Sequence, residues 1–289
     1  HCKPLRGRES HCSRHEGGIV ETVDYAQIAE AVRDAARLKT LPLAVTFLSS
    51  PGDFPEKTKQ PAKDLGKRLT LCQAVSMARL YGWTLGLTKD DLICVPAMIA
   101  FGFSKADDIG GTLGELFCEV GFHPDAGAAV DEASSLSTFA NGEYPAILIS
   151  PLSKALHEPH TAVFYGNPAQ IIRLSQAVVH ACGQRIIGSF GGKVECTEYL
   201  VAPFKTAAPR IAIPGLGDRV FSVTQDDELV LSIPGSLLDP MHQSLHVVGK
   251  KVGLRYPVPG YLNYQPEFPP MYTEMARKLK LFENETTDD

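Results

Sequence analysis

Seven cysteines are spread over the 289 residues, at positions 2, 12, 72, 94, 118, 182 and 196. An odd count at wide spacings, without a CxxC pair, does not read as the disulfide framework of a small secreted chain. Reduced thiols and a cytoplasmic protein are the simpler expectation. Cys118 and Cys182 fall in apolar helical surroundings, where a thiol serves as a small hydrophobic side chain. Cys72, Cys94 and Cys196 fall at element ends: a helix start, a strand just before Pro96, and the exit from a Gly-rich turn. Backbone amides at a helix start favour thiolate over thiol, the form a nucleophile or metal ligand requires. If the three converge, they could hold zinc or an iron–sulfur cluster and leave one coordination position open for a substrate.

Other chemistry-bearing residues have adequate structural explanations. Cys2, His11, Cys12 and His15 are four soft ligands in a short span, but their spacing matches no common zinc finger, and a polar tail accounts for them. His157 and His160 flank Pro159, which prevents an ordinary helical pairing, so a solvated loop is expected. His242 and His246 lie one helical turn apart without the acidic base of a zinc protease. His180 falls with Arg173 and Gln176 on the polar side of its helix. The chain lacks GxxxxGK[ST], HExxH and GxSxG, and Gly110-Gly111-Thr112-Leu113-Gly114 has no strand before it, as a dinucleotide fingerprint needs. With 28 basic against 33 acidic side chains, there is no basic excess to bind nucleic acid. No apolar run is long enough for a membrane span.

The elements that must position these residues follow from apolar spacing. Ile28, Ala31, Val32, Ala35 and Leu38 mark an amphipathic helix over 24–38, and Leu43 to Leu48 reads as a buried strand. The polar, Lys-rich stretch 51–67 reads as a loop able to fold over a ligand. A helix over 70–80 puts Cys72, Val75, Ser76 and Arg79 on one face and ends before Gly82. Leu92 to Val95 is expected to be extended up to Pro96, and Gly-punctuated helices follow over 97–103, 111–120 and 126–138. Strands at 145–149 and 161–165 precede a helix whose signals agree with one another: Asn167 as cap, Pro168 in the first turn, Gln170 reaching back. Strands are then expected at 185–190, 197–201, 210–213, 220–223 and 229–233, with a turn at Gln225–Asp227. A helix from Asp239 to Gly249 and a terminal helix around 271–282 complete the chain.

This order implies an α+β (mixed α/β) fold with a helix-rich N-terminal half and a strand-rich C-terminal half around one or two sheets. The expected organisation is a polar tail at 1–18, an α/β lobe at 19–142, and an α+β lobe with the terminal helix at 143–289. The two lobes need not fold separately.

Several segments together resemble the family known as Domain of Unknown Function 169. They are Pro42 to Leu48 (PLAVTFL), Cys72-Gln73-Ala74 with Ala78-Arg79, and Asp90-Asp91-Leu92-Ile93-Cys94 leading to Phe101-Gly102-Phe103. In the second half they are Val163 to Gln170 (VFYGNPAQ), Cys196, and Ile213 to Arg219 (IPGLGDR) with Asp227-Glu228. The resemblance carries no settled activity. It implies that Cys72, Cys94 and Cys196, each at a family cysteine position, matter more than Cys118 or Cys182. It also implies a further cysteine just before Gly-Asp-Arg, where this chain has Leu216, so a site here would use three cysteines plus another ligand or an open position. Read from the residues alone, Pro214 and its neighbouring glycines form a turn between strands. Asp218 there could accept from turn amides, and Arg219 could pair internally or contact a carboxylate.

The functional expectation is a cytoplasmic protein that binds a metal or cofactor, is redox-active, and uses Cys72, Cys94 and Cys196 for an iron–sulfur cluster or zinc. Arg79, Arg219 and Asp218 would contact a small anionic ligand. The alternative is a non-catalytic small-molecule binder with its pocket between the lobes and with structural cysteines. Thiol nucleophile chemistry at Cys72 or Cys94 would need a general base, which the sequence does not show. The Pro- and Tyr-rich stretch from Tyr256 to Tyr272 could wrap a neighbour in a homo-oligomer.

Overall fold

In the computed structural model, residues 23–251, 256–257 and 268–281 are described. The four soft ligands of the N-terminal tail, and most of the stretch from Tyr256 to Tyr272, lie outside them. Helix α1 (Tyr25–Ala36) begins where the Asp24 side chain accepts from the Ala26 and Gln27 amides, and ends at Arg37 in the left-handed conformation. Strand β1 (Leu43–Leu48) follows. The expected Lys-rich loop is partly ordered by a 3₁₀ turn at Pro51–Asp53 and the short helix α2 (Pro61–Asp64). Helix α3 (Leu71–Tyr81) has a reciprocal cap at its start and Gly82 at φ +69° past its end. Then come β2 (Leu85–Leu87) and the helices α4 (Val95–Ala100), α5 (Ile109–Glu119) and α6 (Ala126–Ser134). The second half contains β3 (Ala146–Pro151), β4 (Thr161–Gly166), α7 (Pro168–Cys182), a π-helical turn at Thr197–Val201, and α8 (Ala202–Thr206). The chain continues through β5 (Arg210–Ala212), α9 (Leu216–Phe221), β6 (Leu229–Pro234), α10 (Leu238–Lys251) and α11 (Pro270–Lys278).

The fold is therefore α+β. Among the described residues six strands form one antiparallel sheet in the order β2-β3-β1-β4-β6-β5. Because β1 lies between β3 and β4, strands from both sides of Gly142 share the sheet. One face carries Leu43, Val45, Phe47, Ile149, Val163 and Tyr165 against α3, α4, α5 and the π-helical turn. The other carries Ala44, Ala162, Phe164, Leu231 and Ile233 against α1, α7 and α10. Alternation along the strands thus feeds two separate cores. Among the described residues no helix is long and apolar enough to cross a membrane.

Four expected strands differ from the structure. Residues 92–94 are extended with a single bridge from Leu92 to Leu69 rather than a sheet strand. Val95 already starts α4, because Pro96 sits in the first turn, where its missing N–H costs nothing, and Cys94 becomes the residue before the helix. Thr197–Val201 is buried on all sides as a π-helical turn, so its apolar run has no period that separates strand from helix. Residues 220–223 lie at and beyond the end of α9, and 185–190 make only a single bridge, Ile187 to Arg210. The run Gly110 to Gly114 serves helix packing: a Cβ on Gly114 would stand 2.7 Å from Val130 Cα, so α6 could not approach α5.

Two polar side chains expected in solvent are packed. Arg173 is buried between α7 and α10, donating from Nη2 to the Leu245 carbonyl at 2.9 Å. His160 stacks on Phe204 with ring centroids 4.3 Å apart, and its Nδ1 accepts from the Phe47 amide at 3.0 Å. Burial lowers the His160 pKa from its ordinary 6.5. Its folded-state pKa being depressed, the stability it contributes is present above 6.5 and is lost as pH falls through the folded value. Unfolding in urea at pH 7 and pH 5 should show wild type losing more stability on acidification than His160→Asn. Equal losses would contradict this reading.

Candidate functional site

Three elements deliver the three cysteines of interest to one place. Thr70 accepts from the Gln73 amide at 3.1 Å and the Gln73 side chain accepts from the Thr70 amide at 2.8 Å, which fixes the start of α3 and thereby Cys72. Cys94 immediately precedes α4. Cys196 immediately precedes the π-helical turn, a distortion often found at functional sites. Just upstream of it, Val194 stands at φ +53°, a left-handed conformation that a β-branched side chain adopts only under local strain. Cys72, Cys94 and Cys196 all line one cavity of about 670 Å³. So do Asp218 and Leu216, the latter at the position where the family resemblance implies a cysteine. Helix α9 packs against α3 here: a Cβ on Gly217 would stand 3.4 Å from Cys72 Sγ, an ordinary van der Waals contact.

Burial dominates the electrostatics. It pushes the Cys72 thiol well above its ordinary value, with the Asp218 charge next in effect, and pushes Cys196 well up too. Cys94 is raised less, again chiefly by burial. The helix start that was expected to favour the Cys72 thiolate is therefore outweighed by desolvation and a nearby carboxylate. Asp218, itself 3% exposed, accepts from the Tyr199 hydroxyl at 2.9 Å and from the Gly215 amide at 3.2 Å, and it lies close enough to Cys72 for each to affect the other's titration. Burial nonetheless raises its pKa.

The two arginines are placed otherwise than expected of ligand contacts. Arg79, 1% exposed, gives its fork to Glu228 at 2.7 and 3.0 Å and lies 4.0 Å over the Tyr165 ring. It secures the turn after α9 to α3 and does not line the cavity. Arg219 stands in α9, not at the start of a strand. It pairs with the exposed Asp226 at 2.5 Å, also off the cavity wall.

Sequence reasoning missed Lys193, Glu195 and Tyr199. Glu195 accepts from the Gly191 and Gly192 amides at 2.7 and 2.6 Å, and Lys193 pairs with Glu132 at 3.0 Å. A carboxylate directly before Cys196 and after two glycines was the available signal. Cys118 and Cys182 pack against the two cores, as expected of structural thiols. The rings of His242 and His246 neighbour each other at 5.7 Å. Among the described residues no group of three or more His, Cys, Asp or Glu side chains is arranged to hold a metal ion.

Fold and site together define an α+β protein with a thiol-lined cavity at one face of its sheet. The chain belongs to the DUF169 family, described as uncharacterised ArCR, whose model matches residues 31–244. It is 24% identical over 227 residues to the uncharacterized protein MJ0308 of Methanocaldococcus jannaschii, covering 77% of this chain and 95% of that one. No solved structure matches it.

Proposed function

We propose that Cys72, Cys94 and Cys196 are the protein ligands of an iron–sulfur cluster in a redox-active protein, with one position open toward the cavity for a small molecule. The observation that carries this reading is the meeting of three thiols, from α3, α4 and the π-helical turn, on the wall of one cavity. Soft thiolates suit both zinc and iron–sulfur clusters. The cluster is the reading we adopt because the three thiols come from three separate elements spread along one cavity wall. A cluster's cysteines bind different irons and need not gather at one point. Leu216 supplies no donor, which leaves a coordination position to a substrate. When bound, such a cluster supplies electron transfer and a Lewis-acidic iron.

The chain's own groups serve loading and selection. Ligation must remove the thiol protons, and Asp218, on the same cavity wall as Cys72 and electrostatically coupled to it, stands where it can take one. Iron and acid-labile sulfide analysis of anaerobically purified protein, with its visible spectrum, tests the reading. Stoichiometric iron and sulfide would support it, and metal-free, colourless protein would overturn it.

A second reading rests on the mostly apolar cavity wall: a non-catalytic pocket whose thiols only line it. Ligand binding would then survive replacement of Cys72 and Cys94 by Ser.

A further inference from the structure

The cavity has the size of a small-molecule site, and its mouth is unusual for a surface. Ile93, Val95, Val120, Leu216, Val220 and Phe221 all line it and are each 54–62% exposed. Contiguous exposed apolar side chains around a concave site mark a place where an apolar partner is taken out of water. They come from three separate segments: the approach to α4, the residues just after α5, and α9. Assembling them at one mouth is a property of the fold, not of any one helix.

Charge on the wall decides what can enter. Lys193 is the one cationic side chain among the described lining residues, and its ammonium is held by Glu132 at 3.0 Å and lies 4.8 Å from the Phe117 ring centroid. Arg79 and Arg219, which could have balanced an anion, are paired elsewhere and do not line the cavity. The remaining charged groups on the wall are the carboxyls of Glu195 and Asp218, and each already accepts two or more hydrogen bonds from the protein. An anion would enter an apolar space with two acids on the wall and no free cation. Burying an ion so placed is costly.

We propose that the ligand of this cavity is an uncharged, largely hydrocarbon small molecule, rather than the anion expected from the sequence. This deepens the reading of the cavity as an open substrate position, and it names the substrate class. Its binding energy would come chiefly from apolar surface removed from water at the rim and wall.

A matched pair of fluorescent probes tests the class. N-phenyl-1-naphthylamine is uncharged, and 8-anilinonaphthalene-1-sulfonate adds a sulfonate to the same skeleton. Titrated into the full chain, both as anaerobically isolated and metal-free, the uncharged probe should bind saturably and at least about tenfold more tightly than the sulfonate. Val220→Asp, at an exposed rim position and so tolerated by the fold, should weaken the uncharged probe by about tenfold or more. Equal or tighter binding of the sulfonate, no saturable binding of the uncharged probe, or indifference to Val220→Asp would each overturn the proposal. Cys72→Ser separates it from the cluster reading, since that variant should lose iron and keep the probe. Probe preference in wild-type protein that carries no iron as anaerobically isolated would overturn the cluster reading alone.

Discussion

Cys72→Ser, Cys94→Ser and Cys196→Ser are each expected to lower iron and labile sulfide in the anaerobically purified protein to below about a tenth of the wild-type content. Cys118→Ser and Cys182→Ser should retain them. Serine keeps the size of the side chain and removes the soft donor, so packing is little disturbed while ligation is lost. Among the described residues no other thiol stands on the wall to compensate. Asp218→Asn should fall between the two groups: it keeps a hydrogen-bonding side chain beside Cys72 but cannot take the thiol proton. Iron retained in all three site variants would remove the trio from any ligand role. Equal loss in the Cys118 and Cys182 variants would show a general effect on folding.

The largest effect on stability is expected at Arg79. Its guanidinium is 1% exposed, paired with Glu228 through two hydrogen bonds and stacked on Tyr165. Removing one partner of a buried pair leaves the other charge uncompensated, which costs about 3–5 kcal/mol. Arg79→Met should therefore lower the unfolding free energy by about that amount. The double variant Arg79→Met, Glu228→Leu should recover a substantial part, because no charge is then stranded. Denaturant unfolding of wild type, both single variants and the double variant measures the coupling. Strict additivity would contradict the account of Arg79 as half of a buried pair. The same cycle separates a structural from a ligand-binding arginine, since a ligand contact exposed in the cavity would cost little in the free protein.

What could be read in the sequence was local. The starts and ends of α3 and α7 are set by caps within a few residues of each other, Thr70 with Gln73 and Asn167 with Gln170, and both helices lie where the spacing places them. The π-helical turn was read as a strand because a segment buried on every side loses the alternation that distinguishes the two. The positions of Cys72, Cys94 and Cys196 at element ends and at family cysteine positions singled them out, but that all three line one cavity depends on packing that spacing does not record. Arg79 was not legible as structural, because its partner lies 149 residues away and only the packing of the turn after α9 onto α3 brings them together. The anion expected as ligand followed from the Lys-rich stretch 51–67 together with Arg79 and Arg219, and both arginines are paired within the protein. Tyr199 and Phe117 escaped notice for the same reason as Glu228: their place on the site depends on which faces of distant helices meet, and one chain's spacing does not record that.

The central claim is that Cys72, Cys94 and Cys196 jointly hold one iron–sulfur cluster. Native mass spectrometry of the anaerobically purified full chain tests it most directly. The account predicts a mass above that of the polypeptide by one cluster, an increment absent from Cys72→Ser and from protein treated with acid and chelator. A wild-type spectrum showing the bare polypeptide alone, or an increment that persists in Cys72→Ser, would contradict it.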